Sequence, residues 1–213
     1  MKIVCFSDSH GQHRSKNLNK WFHDNPTDIL IFSGDYQLNS EDHGEDFIEW
    51  ISNLPYKHKI ITAGNHDNNF ATIKDKCKEY NNMHFLIHNS INIDGINFFI
   101  SAYSRTFGHW VFMEDEDTLE YLYEKIPNDT EILVTHTPPY NKLDLTFGGV
   151  WAGSTSLEKR IKELPNLKYN IFGHIHESFG NVSEHGIQYI NCSVLDEIYR
   201  LKNNPVIVEF EKE

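Results

Sequence analysis

Carboxylate, amide and imidazole side chains gather in short clusters along the chain: Asp8-Ser9-His10, Gly34-Asp35, Gly64-Asn65-His66-Asp67, His136 and Gly173-His174-Ile175-His176. These are the oxygen and nitrogen donors that hold first-row divalent cations. With 13 histidines in 213 residues, a single Asp-x-His or His-x-His is expected by chance. The set carries more weight because every cluster follows an apolar run: Ile3-Val4-Cys5-Phe6, Ile29-Leu30-Ile31-Phe32, Ile60-Ile61, Ile132-Leu133-Val134 and Ile171-Phe172. Loops at strand ends are where α/β proteins place ligands, so the combination reads as a binuclear metal site.

Two divalent ions held close together need one anionic ligand that touches both, with neutral donors completing each shell. Asp35 suits the bridge, since it stands alone in its loop beside Gly34, where the backbone can approach closely. Asp8, His10 and one histidine of the 174/176 pair would complete one site, and Asn65, His136 and the other histidine the second. Two carboxylates against two dications leave a positive surplus, an anion trap suited to phosphate. Metal binding brings the pKa of water toward about 7, so a hydroxide bridging the metals is the expected nucleophile and no serine or cysteine is required. His66 directly follows Asn65 and diverges from it, which makes it a candidate to donate a proton to the leaving oxygen or to stabilise the equatorial charge of the phosphate rather than a ligand, with Asp67 placed to orient its ring. Ser7 and Ser9 lack a glycine-elbow context and read as local hydrogen-bonding residues.

The positioning elements are predicted from pattern. Near-continuous apolar runs bounded by polar or glycine punctuation indicate strands buried on both faces, at 2–7, 28–33 and 58–63. Helices follow at 15–23, 45–51 and 69–80, giving βαβαβα and hence a parallel sheet. Later, Phe85–Ile87, Ile91–Ile93 and Asn97–Ile100 are short strand signals, with Asp94-Gly95 a tight hairpin turn. Helices at 115–125 and 155–163 and strands at 131–135, 169–172, 187–191 and 206–210 complete the reading. About ten strands exceed one comfortable sheet, so two packed mixed sheets flanked by helices are expected, in one domain over 1–213.

Apolar content of 39% and a charged fraction of 23% indicate a globular chain. The net charge of −12 disfavours a long nucleic-acid partner held by general electrostatics. No stretch of 18 apolar residues and no signal-peptide core is present, so a cytoplasmic chain with no membrane partner is expected. Cys5, Cys77 and Cys192 are too few and too separated for a disulfide framework or a thiolate zinc site. None of these signals encodes an oligomeric state.

The ordered series Asp8-x-His10, Gly34-Asp35, Gly64-Asn65-His66-Asp67, His136 and Gly173-His174-x-His176 resembles the calcineurin-like metallophosphoesterase superfamily, from residue 2 to about 192. The segments Ser7–Arg14, Thr135–Pro139, Phe172–Glu177 and Ile190–Ser193 resemble its small metallophosphoesterase-domain branch, related to vertebrate brain enzymes and cyclic-nucleotide phosphodiesterases. The resemblance implies a four-layer α/β/β/α sandwich and a di-metal centre, manganese foremost, with iron, zinc, nickel or cobalt as alternatives. It implies His176 with Asp8, His10 and Asp35 on one metal, and Asn65, His136 and His174 with Asp35 on the other. His66 corresponds to the family's acid or transition-state donor. Two departures stand out: Tyr36-Gln37-Leu38 lacks the arginine that Ser/Thr protein phosphatases carry there, and Asp67 replaces the glutamate of many relatives.

Arg14 and the loop Ser104–Trp110, with Arg105 and His109, are candidates to clamp substrate oxygens or stack a base, against the plainer reading as packing residues. His13, His23, His43, His58, His84, His88 and His185 lack matching partners and read as surface or core histidines. Gly148, Gly149 and Gly153 predict a flexible or tightly turned loop. The expected activity is metal-dependent hydrolysis of small phosphodiesters, cyclic nucleotides among them. The alternatives are a phosphomonoesterase on small metabolites or nucleotides, and a non-catalytic scaffold that retains the fold.

Overall fold

The apolar runs form strands, and the strands sort into two sheets. In the computed structural model, which describes residues 1–37 and 42–211 without the side chains of 42 and 43, the elements in chain order are as follows. They are β1 Lys2–Phe6, α1 Lys16–Asp24, β2 Ile29–Phe32, α2 Asp42–Ser52, β3 His58–Ile61, α3 Phe70–Cys77, β4 Met83–Phe85, β5 His88–Ile93, β6 Ile96–Ser101, β7 Ser104–Arg105 and β8 Met113–Glu114. Then come α4 Glu116–Tyr123, β9 Ile132–Thr135, α5 Thr155–Ile161, β10 Tyr169–Phe172, β11 Gly180–Glu184, β12 Ile187–Asn191 and β13 Val206–Glu209. His43 falls outside the described side chains.

One sheet has the order β13-β1-β2-β3-β4 and the other β11-β12-β10-β9-β6-β5, with β7-β8 a short separate pair. Strands β1 to β4 run parallel, as do β12, β10, β9 and β6, and antiparallel strands occupy the remaining edges. Alternation along each strand builds the layers. Ile3, Cys5, Ile29, Ile31 and Ile60 face inward against Phe98, Ile100, Ile132, Val134 and Ile171 of the second sheet. Val4, Phe6, Leu30 and Phe32 face outward and bury Leu18, Phe22, Phe47 and Trp50 of α1 and α2. On the far side Phe99, Leu133 and Phe172 pack under Leu119, Tyr123, Leu157 and Ile161 of α4 and α5. This is the α/β/β/α layering expected.

Two expectations at strand level differ from the structure. Phe85–Ile87 is not one strand: β4 ends at Phe85 in the first sheet, and Leu86-Ile87 carry the chain across to β5 in the second. Strand β11 gave no signal because it is an edge whose residues after Gly180 are exposed, so no apolar run marks it. The His185-Gly186 turn pairs it with β12, both residues having positive φ.

The parallel strands all deliver their carboxyl ends to one edge, where the sheets are stitched together. Ser7 bridges Ser193 in parallel, with Ser7 N donating to Cys192 O at 3.0 Å and Val194 N to Ser7 O at 3.1 Å. Gly173 N donates to His136 O at 3.1 Å, and His10 N to Asp35 O at 3.0 Å. Backbone hydrogen bonds between these loops thus fix where their side chains converge.

Candidate metal centre

Loops following β1, β2, β3, β9 and β10 bring the ligand-type residues together in two groups. Asp8, His10 and His176 form one, and Asp35, His136 and His174 the other, each with its donor atoms within 4.8 Å of one another. Asp35 joins them: its Oδ2 lies 3.6 Å from His10 Nε2 and 3.4 Å from His136 Nε2. Asn65 belongs to the second group, its Oδ1 lying 2.9 Å from His136 Nε2. The residues alone leave open which of His174 and His176 joins which group; the structure groups His176 with Asp8 and His10, and His174 with Asp35 and His136.

Backbone conformation at this edge is unusual. Asp8, His10, Asp35 and His174 all have positive φ, between 41° and 69°. For L-residues this region is disfavoured by roughly 1–2 kcal/mol each, and such strain persists where surrounding structure over-determines it and clusters at functional sites. Asp67 is the main restraint. Buried completely, it accepts from Asp35 N at 2.8 Å and Gly64 N at 2.7 Å through one oxygen, and from Gln37 N at 3.0 Å through the other. The expectation that Asp67 orients the His66 ring is therefore corrected: its carboxylate is occupied in pinning the β2 and β3 loops together. Gly64 and Gly173 make the close approach feasible, since a Cβ on Gly64 would collide with the Asp35 carboxylate and one on Gly173 with Ser7 and Asp8.

The imidazoles are held by backbone carbonyls. His10 Nδ1 donates to Gln37 O at 2.9 Å, His136 Nδ1 to Ser33 O at 2.9 Å and His176 Nδ1 to Asp196 O at 3.1 Å. Each bond leaves the Nε2 lone pair facing the carboxylates, the arrangement by which metal-bound histidines are oriented. His174 Nδ1 meets His136 Nε2 at 3.1 Å, and His174 N donates to both oxygens of Asp8. Asp8 also accepts from Ser7 Oγ.

The electrostatics follow from burial and proximity. Burial acts to raise the Asp8 carboxyl, but contact with His176 overrides it and holds the group down at about 2. Asp35 is likewise lowered despite burial, by the charge of His136. Burial opposes protonation of His136, yet Asp35 raises it to about 9; His176 is raised by Asp8 in the same way. Burial lowers His10 to about 4, and burial with the neighbouring His136 lowers His174 to about 3.

His10 Nε2 is buried without a hydrogen-bond partner, although buried polar atoms are ordinarily satisfied. Nitrogen and oxygen donors from five loops converge in a region whose own geometry brings like groups together, His136 against His174 and Asp8 near Asp35. Mixed carboxylate, amide and imidazole donors match first-row divalent cations. The donor set fits.

His66 stands beside this cluster, partly exposed. Its backbone N donates to Asp35 Oδ1 at 2.9 Å, and its ring lies 5.0 Å edge-on from that of His10 and 5.4 Å from that of Trp110. Of the substrate candidates, Arg105 lines a cavity next to His174, whereas His109 is exposed and does not line it. Arg14 is corrected: its guanidinium is bound by Asp46 at 2.6 Å and Glu49 at 3.1 Å on α2, so it is not free to clamp substrate. His13, His23, His58, His84, His88 and His185 lie outside both groups.

Tyr199 escaped the sequence reading. Its ring is 4.9 Å from that of His10 and 5.1 Å from that of His176, presented by a turn in which Asp196 accepts from Ile198 N and Arg200 N. A lone tyrosine far from any ligand cluster has no pattern to announce it; only a turn-forming aspartate preceding it gave a signal.

Replacing Asp67 with alanine is expected to leave three buried N–H groups unsatisfied, at about 1–3 kcal/mol each. Thermal unfolding should report a loss of at least about 6 °C, at roughly 2–4 °C per kcal/mol for a chain of this size. A shift within about 2 °C would show that Asp67 does not pin the loops.

The chain matches the family model described as calcineurin-like phosphoesterase over residues 1–178. It is 30% identical to a UPF0046 protein of Caenorhabditis elegans, covering 100% of this chain and 76% of that protein. It is 27% identical to metallophosphoesterase domain-containing protein 1 of Homo sapiens, covering 98% of this chain and 70% of that one. In structure it resembles a dimetal phosphatase from Danio rerio, with a TM-score of 0.56 at 8% identity over 90% of this chain and 86% of that one. The narrower branch read from the sequence is therefore represented among its relatives. The chain belongs to the calcineurin-like phosphoesterase family, whose members are hydrolases of phosphoester bonds.

Proposed function

We propose that this chain hydrolyses small phosphodiesters, cyclic nucleotides among the candidates, at a centre holding two divalent ions, manganese foremost. The observation that carries the reading is Asp35, whose Oδ2 lies within 3.6 Å of His10 Nε2 and 3.4 Å of His136 Nε2, between two groups each able to hold an ion. Asp8, His10, Asp35 and His176 would hold one ion, and Asp35, Asn65, His136 and His174 the other. Two divalent ions, when bound, supply a water-derived nucleophile at neutral pH and polarise the phosphate oxygens. The carbonyls of Gln37, Ser33 and Asp196 orient the imidazoles, and Asp67 holds the loops at the separation this needs. His66 would place a proton on the leaving oxygen, as the electrostatic demand of phosphoryl transfer is met largely by cations and such a donor.

Preference for diesters rests on a scarcity of cations. A monoester dianion gains from several arginines, yet Arg14 is taken by Asp46 and Glu49, and among the described residues lining the cavity beside His174 Arg105 is the one permanently charged cation. The test is a panel of bis(4-nitrophenyl) phosphate, 4-nitrophenyl phosphate and cyclic AMP, with protein purified without chelator and supplied with Mn²⁺. Faster turnover of a diester is expected, and a preference for the monoester would overturn the assignment.

Ion binding should also stabilise the fold, because the ions bind the assembled site and not the unfolded chain. At a hundredfold excess over Kd the gain is about 2.7 kcal/mol, which corresponds to roughly 5–10 °C. Differential scanning fluorimetry with Mn²⁺, reversed by a chelator, checks this; an unchanged melting temperature would count against a site made of these residues.

A further inference from the structure

The cavity beside His174 bears on which phosphodiester the centre takes, an inference that rests on the function just proposed. It has a volume of about 450 Å³, and Phe107, Val150, Ala152 and Ile175 form its apolar walls. None of the described residues lining it is acidic, in a chain of net charge −12. Its outer wall is a built hairpin. Leu145 bridges Trp151, Thr146 N donates to Val150 O at 2.9 Å, Gly149 N to Thr146 O at 2.9 Å, and the Glu177 carboxylate accepts from Phe147 N. This is the tight turn that the glycines predicted. It holds Val150 60% exposed in the cavity lining, next to an 87% exposed Phe147 on the same turn, while Phe107, which also lines the cavity, is 61% exposed. Large apolar side chains held in the open beside a polar reaction centre are the mark of a surface that another apolar group covers.

Position decides which part of the substrate that group is. A row of ring contacts runs from His66 to Trp110 at 5.4 Å, Trp110 to Phe107 at 5.1 Å and Phe107 to His174 at 5.3 Å. Phe107 and His174 line the cavity, whereas neither Trp110 nor His66, the proposed donor to the leaving oxygen, lines it, and Trp110 stands between His66 and Phe107 in the series of contacts. We infer that the cavity seats the ester substituent that stays on phosphorus, and that this substituent is uncharged and largely apolar, such as an alkyl chain of several carbons. Arg105, which lines the same cavity, would meet a phosphate oxygen at the junction. Water adds across the phosphorus–oxygen bond of the other substituent, so the products are its free alcohol and an alkyl phosphomonoester that keeps the apolar group.

The experiment uses the Mn²⁺-loaded full chain and 4-nitrophenyl phosphodiesters whose second substituent is methyl, propyl or hexyl, with release of nitrophenolate followed. Burying part of the added chain is expected to raise kcat/KM from methyl to hexyl by about 30-fold. The change should fall in KM, because a retained group is bound alike before and during reaction. Val150→Asp and Phe107→Ser, both at exposed positions and therefore tolerated by the fold, should bring the hexyl-to-methyl ratio down to about 3 or less. If the wild-type chain hydrolyses all three esters with a ratio near one, or if both variants keep the wild-type ratio, the cavity is not this subsite and the inference falls while the diesterase assignment stands. If no diester is hydrolysed with any first-row ion, the assignment itself fails and the inference with it.

Discussion

Changing Asp35 to asparagine is expected to reduce the metal content from two ions per chain to below one and to lower kcat by about 10⁴-fold, the equivalent of several kcal/mol of lost transition-state stabilisation. The substitution removes charge while keeping shape. Asparagine tolerates the positive φ of 62° that Asp35 adopts, and its amide oxygen can still accept from His66 N. What it cannot do is stand as an anion between His10 Nε2 and His136 Nε2. Without that charge, two dications would face each other across neutral donors, with only Asp8 to offset them. Metal analysis by mass spectrometry on protein purified without chelator, together with a melting curve confirming the fold, checks the result. A variant that retains two ions and works within about tenfold of wild type would show that Asp35 does not bridge.

The convergence of these residues is largely legible in the sequence. Asp8, His10, Asp35, Asn65, His136, His174 and His176 are ligand types that follow buried strands, and parallel strands deliver their carboxyl ends to one edge. What was not legible lies in parts of the site that have no side-chain signature. The carbonyls of Gln37, Ser33 and Asp196 that fix three imidazoles belong to the backbone, so no residue type marks them. Adjacency misled at Asp67, where the neighbouring histidine suggested a partner but three buried N–H groups were the stronger claim. Arg14 misled for a similar reason: Asp46 and Glu49 stand three residues apart on one face of α2, a geometry that captures a guanidinium before substrate can. In the fold itself, the misses are edge features such as β11, because the strand signal is an apolar run and exposed edges have none.

The commitment of Asp67 to the backbone sharpens what is asked of His66. With Asp67 committed to the backbone, no carboxylate among the described residues hydrogen-bonds the His66 ring, which lies 5.0 Å from the ring of His10 and 5.4 Å from that of Trp110. His66→Ala keeps the backbone N–H that serves Asp35 and removes a partly exposed ring, so the ions and the fold should be retained. General acid catalysis contributes typically 10²–10⁴-fold, and its share depends on how poorly the leaving oxygen bears a negative charge. For an ester with an alkyl leaving group, kcat is expected to fall by about 10³-fold, whereas nitrophenolate, which departs readily as an anion, should lose only about tenfold. A histidine that merely stabilised charge on the phosphate oxygens would instead slow both esters equally. Parallel kinetics on the two esters, with metal content measured on the same samples, separate these roles, and rates matching the unaltered chain on both would remove His66 from the reaction altogether.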